Sequence, residues 1–210
     1  MSECQLTRGK ANDRVSRMNE IFPDTKKLAI LDAAITAFSG YGFRKTSMDD
    51  IARGAAMSRP ALYMHFRNKE DILRSLVQLY YAEAAGGVRA ALSGEGSVAK
   101  RLHRAFLAQA GRMSELLVTS PHGMELLESS SGAAGDLVAE GEAGLRAIYA
   151  DWLAYEMSQG RVDLRKSPDH VAGTLTAALK GLKQHGKDPE GYKAQLETLA
   201  VMVSSGLARR

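Results

Sequence analysis

The stretch T-S-M-D-D-I-A-R-G-A-A-M-S-R-P-A-L-Y-M-H-F-R-N-K-E-D-I-L, residues 46–73, decides the fold of this chain. Thr46 followed three residues later by Asp49 predicts a capping box and a helix start. Met48, Ile51, Ala52 and Ala55 then recur at helical spacing and define one buried face. The pattern breaks at Ala56–Met57. Ser58 is placed to cap a second helix by accepting hydrogen bonds from exposed backbone N–H groups. Pro60 suits its first turn, where the missing N–H is not needed. Leu62 and Phe66, four residues apart, give this helix its own inward stripe. Two short helices, a tight turn and two inward stripes describe a helix-turn-helix.

The outward face of the second helix points to DNA. Arg59 and Tyr63 share one side, with Pro60, Met64 and Arg67 beside them, and Ala61 leaves room for close approach. In the usual docking such a helix lies in the major groove with its N-terminal residues at base edges. Arg59 has the geometry to donate two hydrogen bonds to a guanine edge. Tyr63 and His65 are expected to reach phosphate oxygens. Asn68 caps a third helix, and Lys69 in its first turn is expected to anchor a phosphate with help from the helix dipole.

Working outward, Pro23–Asp24–Thr25 starts a helix whose Leu31, Ala34, Ile35 and Phe38 form a stripe at i, i+3, i+4 and i+7. Gly40 and Gly42 are expected to end it, with Arg44 and Lys45 following in the loop. It packs beneath the helix-turn-helix and completes a three-helix unit. Residues 1–23 are polar and without a sustained period, and read as a flexible arm. Lys10, Arg14 and Arg17 in it either follow DNA or contact nothing specific.

Charge agrees with a polyanion partner. Of the net +4, residues 1–75 carry all of it, with 13 Lys and Arg against 9 Asp and Glu, while residues 76–210 hold 15 of each. A basic excess confined to one segment is an electrostatic footprint for nucleic acid. The single cysteine, Cys4, excludes an internal disulfide and fits a reducing cytoplasm. No apolar run approaches membrane-spanning length, and no signal-peptide core is visible, so a cytoplasmic protein without a membrane partner is expected.

The stretch and its flanks resemble the DNA-binding domain of the TetR family of transcriptional regulators. The resemblance covers roughly residues 24–75. It is carried by Ala33, Ala34, Phe38, Gly42, Thr46, Ile51, Ala52, Ala55, Ser58, Leu62, Tyr63, His65, Phe66 and Lys69. It implies that Thr46 touches phosphate, that Ser58, Arg59, Ala61 and Tyr63 face the groove, and that His65 and Lys69 bind the backbone. Two positions depart from the family pattern. Ala56 stands where the turn usually has glycine, and a left-handed alanine there costs on the order of 1 kcal/mol. Met64 stands where an aromatic is common.

Beyond Asn68 the chain reads as helix throughout, since no alternating β-branched run is bounded by turn residues. A long helix continues towards Ala91 and breaks at the small, polar Ser93–Ser97. Further helices follow from Ser97, from Pro121, from Asp136 to about Gln159, from Ser167–Pro168, and through Tyr192 to Val203. Ser129–Gly135 reads as a loop. The expected fold is all-α: a three-helix DNA-binding domain with a helix-turn-helix plus a larger helical domain, about nine or ten helices in total. Its divisions are an arm at 1–23, a DNA-binding domain at 24–70, and a ligand-binding and dimerisation domain at 71–210.

The resemblance implies that the C-terminal half binds a ligand and dimerises. Phe106, Met113, Met124, Tyr149, Trp152 and Tyr155 are expected to line an adaptable, largely apolar pocket, although the same residues at helical spacing also suit plain core. Polar contacts would come from His103, Arg104 or His122. The helices 136–159 and 168–184 are candidates for a dimer bundle. The residues Gly173, Ala177 and Gly181 form a small-residue ridge suited to close helix approach. No cofactor or metal is expected. The five histidines lack metal-ligand spacing, and no nucleophile motif is present, so an enzyme is not expected.

The reading is therefore a homodimeric one-component regulator, acting as a repressor. It would bind a near-palindromic operator on double-stranded DNA and be released by a small, largely apolar effector. Its rivals are a helical ligand-binding protein without sequence-specific DNA binding and a helical enzyme.

Overall fold

The computed structural model describes residues 24–185 and 188–208, and the side chains of 112–119, 184 and 185 are not described. Among the described residues there are nine helices and no strand. They are α1 (Thr25–Tyr41), α2 (Met48–Gly54), α3 (Arg59–Tyr63), α4 (Lys69–Ser93) and α5 (Val98–Thr119). Then come α6 (Gly123–Ala133), α7 (Gly135–Ser158), α8 (Pro168–His185) and α9 (Pro189–Leu207). The all-α expectation holds. The arm at 1–23, with Cys4, Lys10, Arg14 and Arg17, lies outside the described residues.

Caps start these helices where short polar residues precede apolar stripes. Asp24 accepts from the Lys26 N–H, Ser58 from Ala61, Asn68 from Asp71, and Asp188 from Glu190 and Gly191. One start is shifted from the expected place. The capping box of α2 is Ser47 with Asp50, not Thr46 with Asp49. Thr46 is drawn into the core at 2 % exposure, where its hydroxyl donates to the carbonyls of Gly42 (2.7 Å) and Ala37 (3.3 Å). The next hydroxyl along takes the cap. Two hydrogen bonds from the Ser47 hydroxyl and N–H hold the Asp50 carboxyl below its ordinary range, against the cost of partial burial.

The buried apolar side chains fall into two clusters. The first joins Leu31, Ala34, Ile35 and Phe38 of α1 to Ile51, Ala52, Leu62 and Phe66 of the helix-turn-helix, and to Ile72, Leu73, Leu76 and Leu79 of α4. Leu126 of α6 completes it. The second cluster takes Ala84, Val88 and Leu92 from the other end of α4 and packs them with Phe106, Tyr149, Leu153, Leu175 and Leu196. A 25-residue helix, roughly 37 Å at 1.5 Å per residue, is thus buried at both ends in different cores. Movement at one end must be transmitted to the other or absorbed by bending.

Two local expectations are revised by packing. Ser129–Gly135 is not a loop: α6 runs through it to Ala133, and only Ala134, fully buried, separates it from α7. Ser130 and Ser131 donate their hydroxyls to the carbonyls of Leu126 and Leu127, which removes the usual competition of serine with the helix backbone. The second helix of the helix-turn-helix is also shorter than expected. It stops at Tyr63, and Phe66 reaches the core from the turn that follows.

Ala56 adopts φ +54°, the single positive-φ residue other than glycine among those described. A β-carbon in that conformation crowds the following carbonyl. Replacing Ala56 with glycine is therefore expected to stabilise the protein by about 0.5–1 kcal/mol, the relief being offset in part by the greater freedom of an unfolded glycine. Urea unfolding of the two proteins checks it.

Candidate nucleic-acid interface and effector cavity

The geometry of α3 follows from its anchor. Leu62 is completely buried, which turns the opposite side of this single turn and a half outward. Ser58, Arg59, Pro60 and Tyr63 are exposed there, Ala61 is half-buried, and Met64 stands 85 % exposed beside them. The Arg59 guanidinium lies 5.6 Å from the Tyr63 ring centroid and 3.2 Å from the Asp49 carboxylate on α2. Its position is thus set in the free protein by a ring and an acid. Both contacts are solvent-exposed, so the ion pair is weak and exchangeable for a base edge.

The remaining expected DNA-binding residues behave differently. Thr46 has its hydroxyl committed to two carbonyls, and it offers DNA no free donor from its side chain. His65 is mostly buried, with Nδ1 3.2 Å from the Asp24 carboxylate, and ties the segment after α3 to the start of α1. The Lys69 ammonium donates to the carbonyls of Phe43 (2.9 Å), Arg44 (3.0 Å) and Thr46 (3.3 Å) and lies over the Phe43 ring. All three of its donors are used within the protein. It acts as a staple between α4 and the loop joining α1 to α2. The exposed Arg44, Lys45 and Arg67 surround the same face.

The neighbourhood of that loop also meets α6. Glu125 accepts a hydrogen bond from the Arg44 N–H (2.9 Å), and Ser120 donates its hydroxyl to the Ser39 carbonyl. Gly42, at φ +88°, is the point of closest approach: a β-carbon there would stand 2.6 Å from the Glu125 carboxylate. Further along, Arg74 of α4 donates two hydrogen bonds of 2.7 Å to Asp136 and one to the Ala133 carbonyl. The Arg74 guanidinium holds the Asp136 carboxyl down to about 2, against desolvation. The helix-turn-helix is therefore tied to the rest of the chain through α4 and α6.

Among the cavities of the described residues, two bear on a ligand for the C-terminal half. The larger, about 530 Å³, lies among α4, α5, α7, α8 and α9 and is lined by Tyr80, Tyr81, Phe106, Gln109, Arg146 and Lys183, among others. The smaller, about 240 Å³, reaches from Ile35 of α1 past Leu73 and Val77 to Met124, Leu127 and Val138. Of the residues expected to line a pocket, Phe106 lines the larger and Met124 the smaller. Tyr149 is core, although its hydroxyl donates to the Gln109 side chain at the larger cavity's wall (2.9 Å). Trp152 is core beneath the Arg101 guanidinium. Tyr155 is 57 % exposed against Arg161 and lines neither cavity. The Met113 side chain lies outside the described residues. His103, Arg104 and His122 line neither cavity. Gln109, Glu142, Arg146, Lys180 and Lys183 also line the larger cavity, and no cap, turn or periodic signal in the sequence singles them out.

Residues 30–76 match the family model for bacterial regulatory proteins of the tetR family. The chain carries a TetR-type N-terminal domain over those residues. Among relatives, an HTH-type transcriptional activator from Mycolicibacterium smegmatis, FasR, is 33 % identical over 92 residues, 44 % of this chain and 42 % of that one. The negative regulator of the biofilm operon icaADBC in Staphylococcus epidermidis, IcaR, is 43 % identical over 49 residues, 23 % of this chain and 26 % of that one. The chain thus spans less than half the length of each of these two relatives. A solved structure of SmeT in complex with triclosan shares the fold at TM-score 0.65 and 17 % identity, covering 89 % of this chain and 93 % of that chain. Both relatives are named as HTH-type transcriptional regulators. Among the described residues no three metal-ligating side chains converge, and no helix is long and apolar enough to cross a membrane.

Proposed function

We propose that this chain is a one-component repressor of the TetR family. It binds a near-palindromic operator as a homodimer and releases it when a small molecule enters the C-terminal half. The observation that carries the reading is the face of α3. Arg59, Pro60 and Tyr63 stand together in solvent over a fully buried Leu62, at the start of a helix in a helix-turn-helix. In this reading residues 24–70 read DNA and residues 71–210 bind ligand and partner. Arg59 and Tyr63 meet base edges and the groove. Phosphates are held by the exposed Arg44, Lys45 and Arg67 and by the backbone near Ser47, more than by Thr46 or Lys69.

One α3 touches few base pairs, so two copies related by a two-fold axis are needed to read a site. Helix α7 is a poor candidate for joining them, because its Leu145, Tyr149, Trp152 and Leu153 are spent inside one chain. Helix α9 exposes Val201 and Met202, 53 % and 66 % accessible, and α8 exposes Thr174 and Ala177. These surfaces support a dimer through α8 and α9.

The test is binding to a randomised duplex pool followed by titration of the selected sequence at several salt concentrations. One enriched palindromic site with a steep salt slope is expected. Binding without sequence preference would leave a ligand-binding protein as the better reading. Replacing Arg59 with alanine is expected to relax discrimination at one base pair per half-site by about 1–3 kcal/mol, read as the affinity ratio between the selected site and its single-base variants. Unchanged ratios would remove Arg59 from base reading.

A further inference from the structure

The two cavities share a wall made of Tyr80, Tyr81, Glu142, Lys180 and Lys183, each of which lines both. The charges of that wall do not balance. Lys180 is paired with Glu142 at 2.7 Å, and Arg146, deeper in the larger cavity, is paired with Asp169. Lys183 has no carboxylate within ion-pair distance among the described residues. Its ammonium donates to the Tyr80 hydroxyl (3.3 Å) and lies 4.4 Å from that ring's centroid. Among the described residues, one cation without a counter-ion therefore faces the junction of the two cavities, half-buried in a place where an anion would be worth more than in open water.

The rest of the wall is built to receive one. The Tyr80 hydroxyl donates in turn to the Gln109 carbonyl (3.1 Å), two residues before the break in α5 at Gly111. Tyr81 is fixed by shape: its ring lies so close over Gly141 that no β-carbon fits there. Burial pushes the Tyr81 hydroxyl well above the usual phenol range and Tyr192, across the larger cavity, up to about 12. Both stay neutral at physiological pH and remain available as donors. On the other side of the wall the smaller cavity is mostly hydrocarbon, from Ile35 and Leu73 to Val77, Leu127 and Val138.

We propose that the two cavities form one site for an anionic amphiphile, an organic monocarboxylate. Its head is held by the Lys183 ammonium, which Tyr80 positions at the junction, and its apolar body fills the smaller cavity. This deepens the effector reading above and rests on it, and it replaces the expected largely apolar ligand with a charged one. The charge count sets the class, since a single unbalanced ammonium matches a single negative charge. The body's place sets the consequence. Ile35 belongs to α1, and Leu73 and Leu76 to the part of α4 packed under the helix-turn-helix. A ligand lying there touches the DNA-binding unit itself.

The test uses the purified full chain without DNA and three probes of one chain length: decanoate, decanol and decyltrimethylammonium. Calorimetry and thermal shift are expected to show decanoate binding about tenfold or more tightly than decanol, and the cation not at all. In Lys183→Met the decanoate advantage is lost while decanol binding is kept. In Lys183→Arg, which retains the charge, the advantage survives. In Val138→Phe, which fills the smaller cavity at a half-buried position, both ligands are lost. Equal binding of decanoate and decanol, or an unchanged preference in a folded Lys183→Met protein, would overturn the proposal. Because no DNA is present, the result is independent of the operator. If decanoate binds as described but fails to release DNA, it is the regulator reading that falls.

Discussion

Replacing Glu156 with alanine is expected to cost about 3–5 kcal/mol of stability, the usual penalty for leaving a buried charge without its partner. Glu156 is completely buried near the end of α7. Arg101 of α5 donates two hydrogen bonds to it, at 2.9 and 2.6 Å, and Arg161, just past α7, donates two more at 2.7 and 2.8 Å. Arg101 is itself 9 % exposed, donates to the Leu92 carbonyl at the end of α4, and lies over the Trp152 ring. One carboxylate thus joins the ends of three helices. Without it, the Arg101 guanidinium is left in a low-dielectric site with only a carbonyl and a ring for company. Chemical denaturation of Glu156→Ala against the parent measures the loss, and a change under about 1 kcal/mol would mean that water reaches the site freely.

The same carboxylate sets an acid limit. The Arg161 guanidinium first, with Arg101 behind it, holds Glu156 down to about 2 against the desolvation of burial, where an ordinary glutamate titrates at 4.5. A folded-state pKa below the unfolded one makes the contribution fully present above pH 4.5 and lost as the pH falls from there towards about 2. The stability of the parent is expected to fall across that window more steeply than that of Glu156→Gln, which has no carboxyl to titrate at this position. Parallel pH profiles of the two would show that the triad adds nothing to acid sensitivity.

The second large effect is expected at Lys69. Replacing it with methionine, which keeps the stem but removes the ammonium, should destabilise the protein by about 2–3 kcal/mol, because a charged donor is lost and three carbonyls lose their partner together. Those carbonyls belong to Phe43, Arg44 and Thr46, so the loop between α1 and α2 should loosen first, seen as faster amide exchange there. A phosphate contact and a staple predict different things. If Lys69 held a phosphate, Lys69→Met would keep its stability and flatten the salt dependence of DNA binding by about one unit. With its donors already committed, the expected result is lost stability and an unchanged salt slope for the protein that remains folded.

These two residues show where reading a sequence stops. Lys69 stands in the first turn of a helix after an asparagine cap, and local rules make such a position an anion site. What removes it is a set of carbonyls 23 to 26 residues earlier in the chain. Thr46 is the same case in small. Its spacing to Asp49 looks like a cap, but the core took the hydroxyl and the cap moved to Ser47. In the pocket, phenylalanine and methionine were legible as lining. The two cavities, their shared wall and the unbalanced Lys183 were not, since these depend on which faces of α4, α7 and α8 meet.

The sequence by itself determined the helical class, most helix boundaries, the helix-turn-helix and the outward set of Arg59, Pro60 and Tyr63. Those features are written in periodicity, caps and turn residues a few positions apart, and even the left-handed Ala56 was visible there. The tertiary structure alone decided which donors were already satisfied, which acid was buried between two arginines, and where space was left for a ligand. Hydrogen-bond partners and voids are set by segments far apart in the chain, and no local pattern records which distant group will arrive.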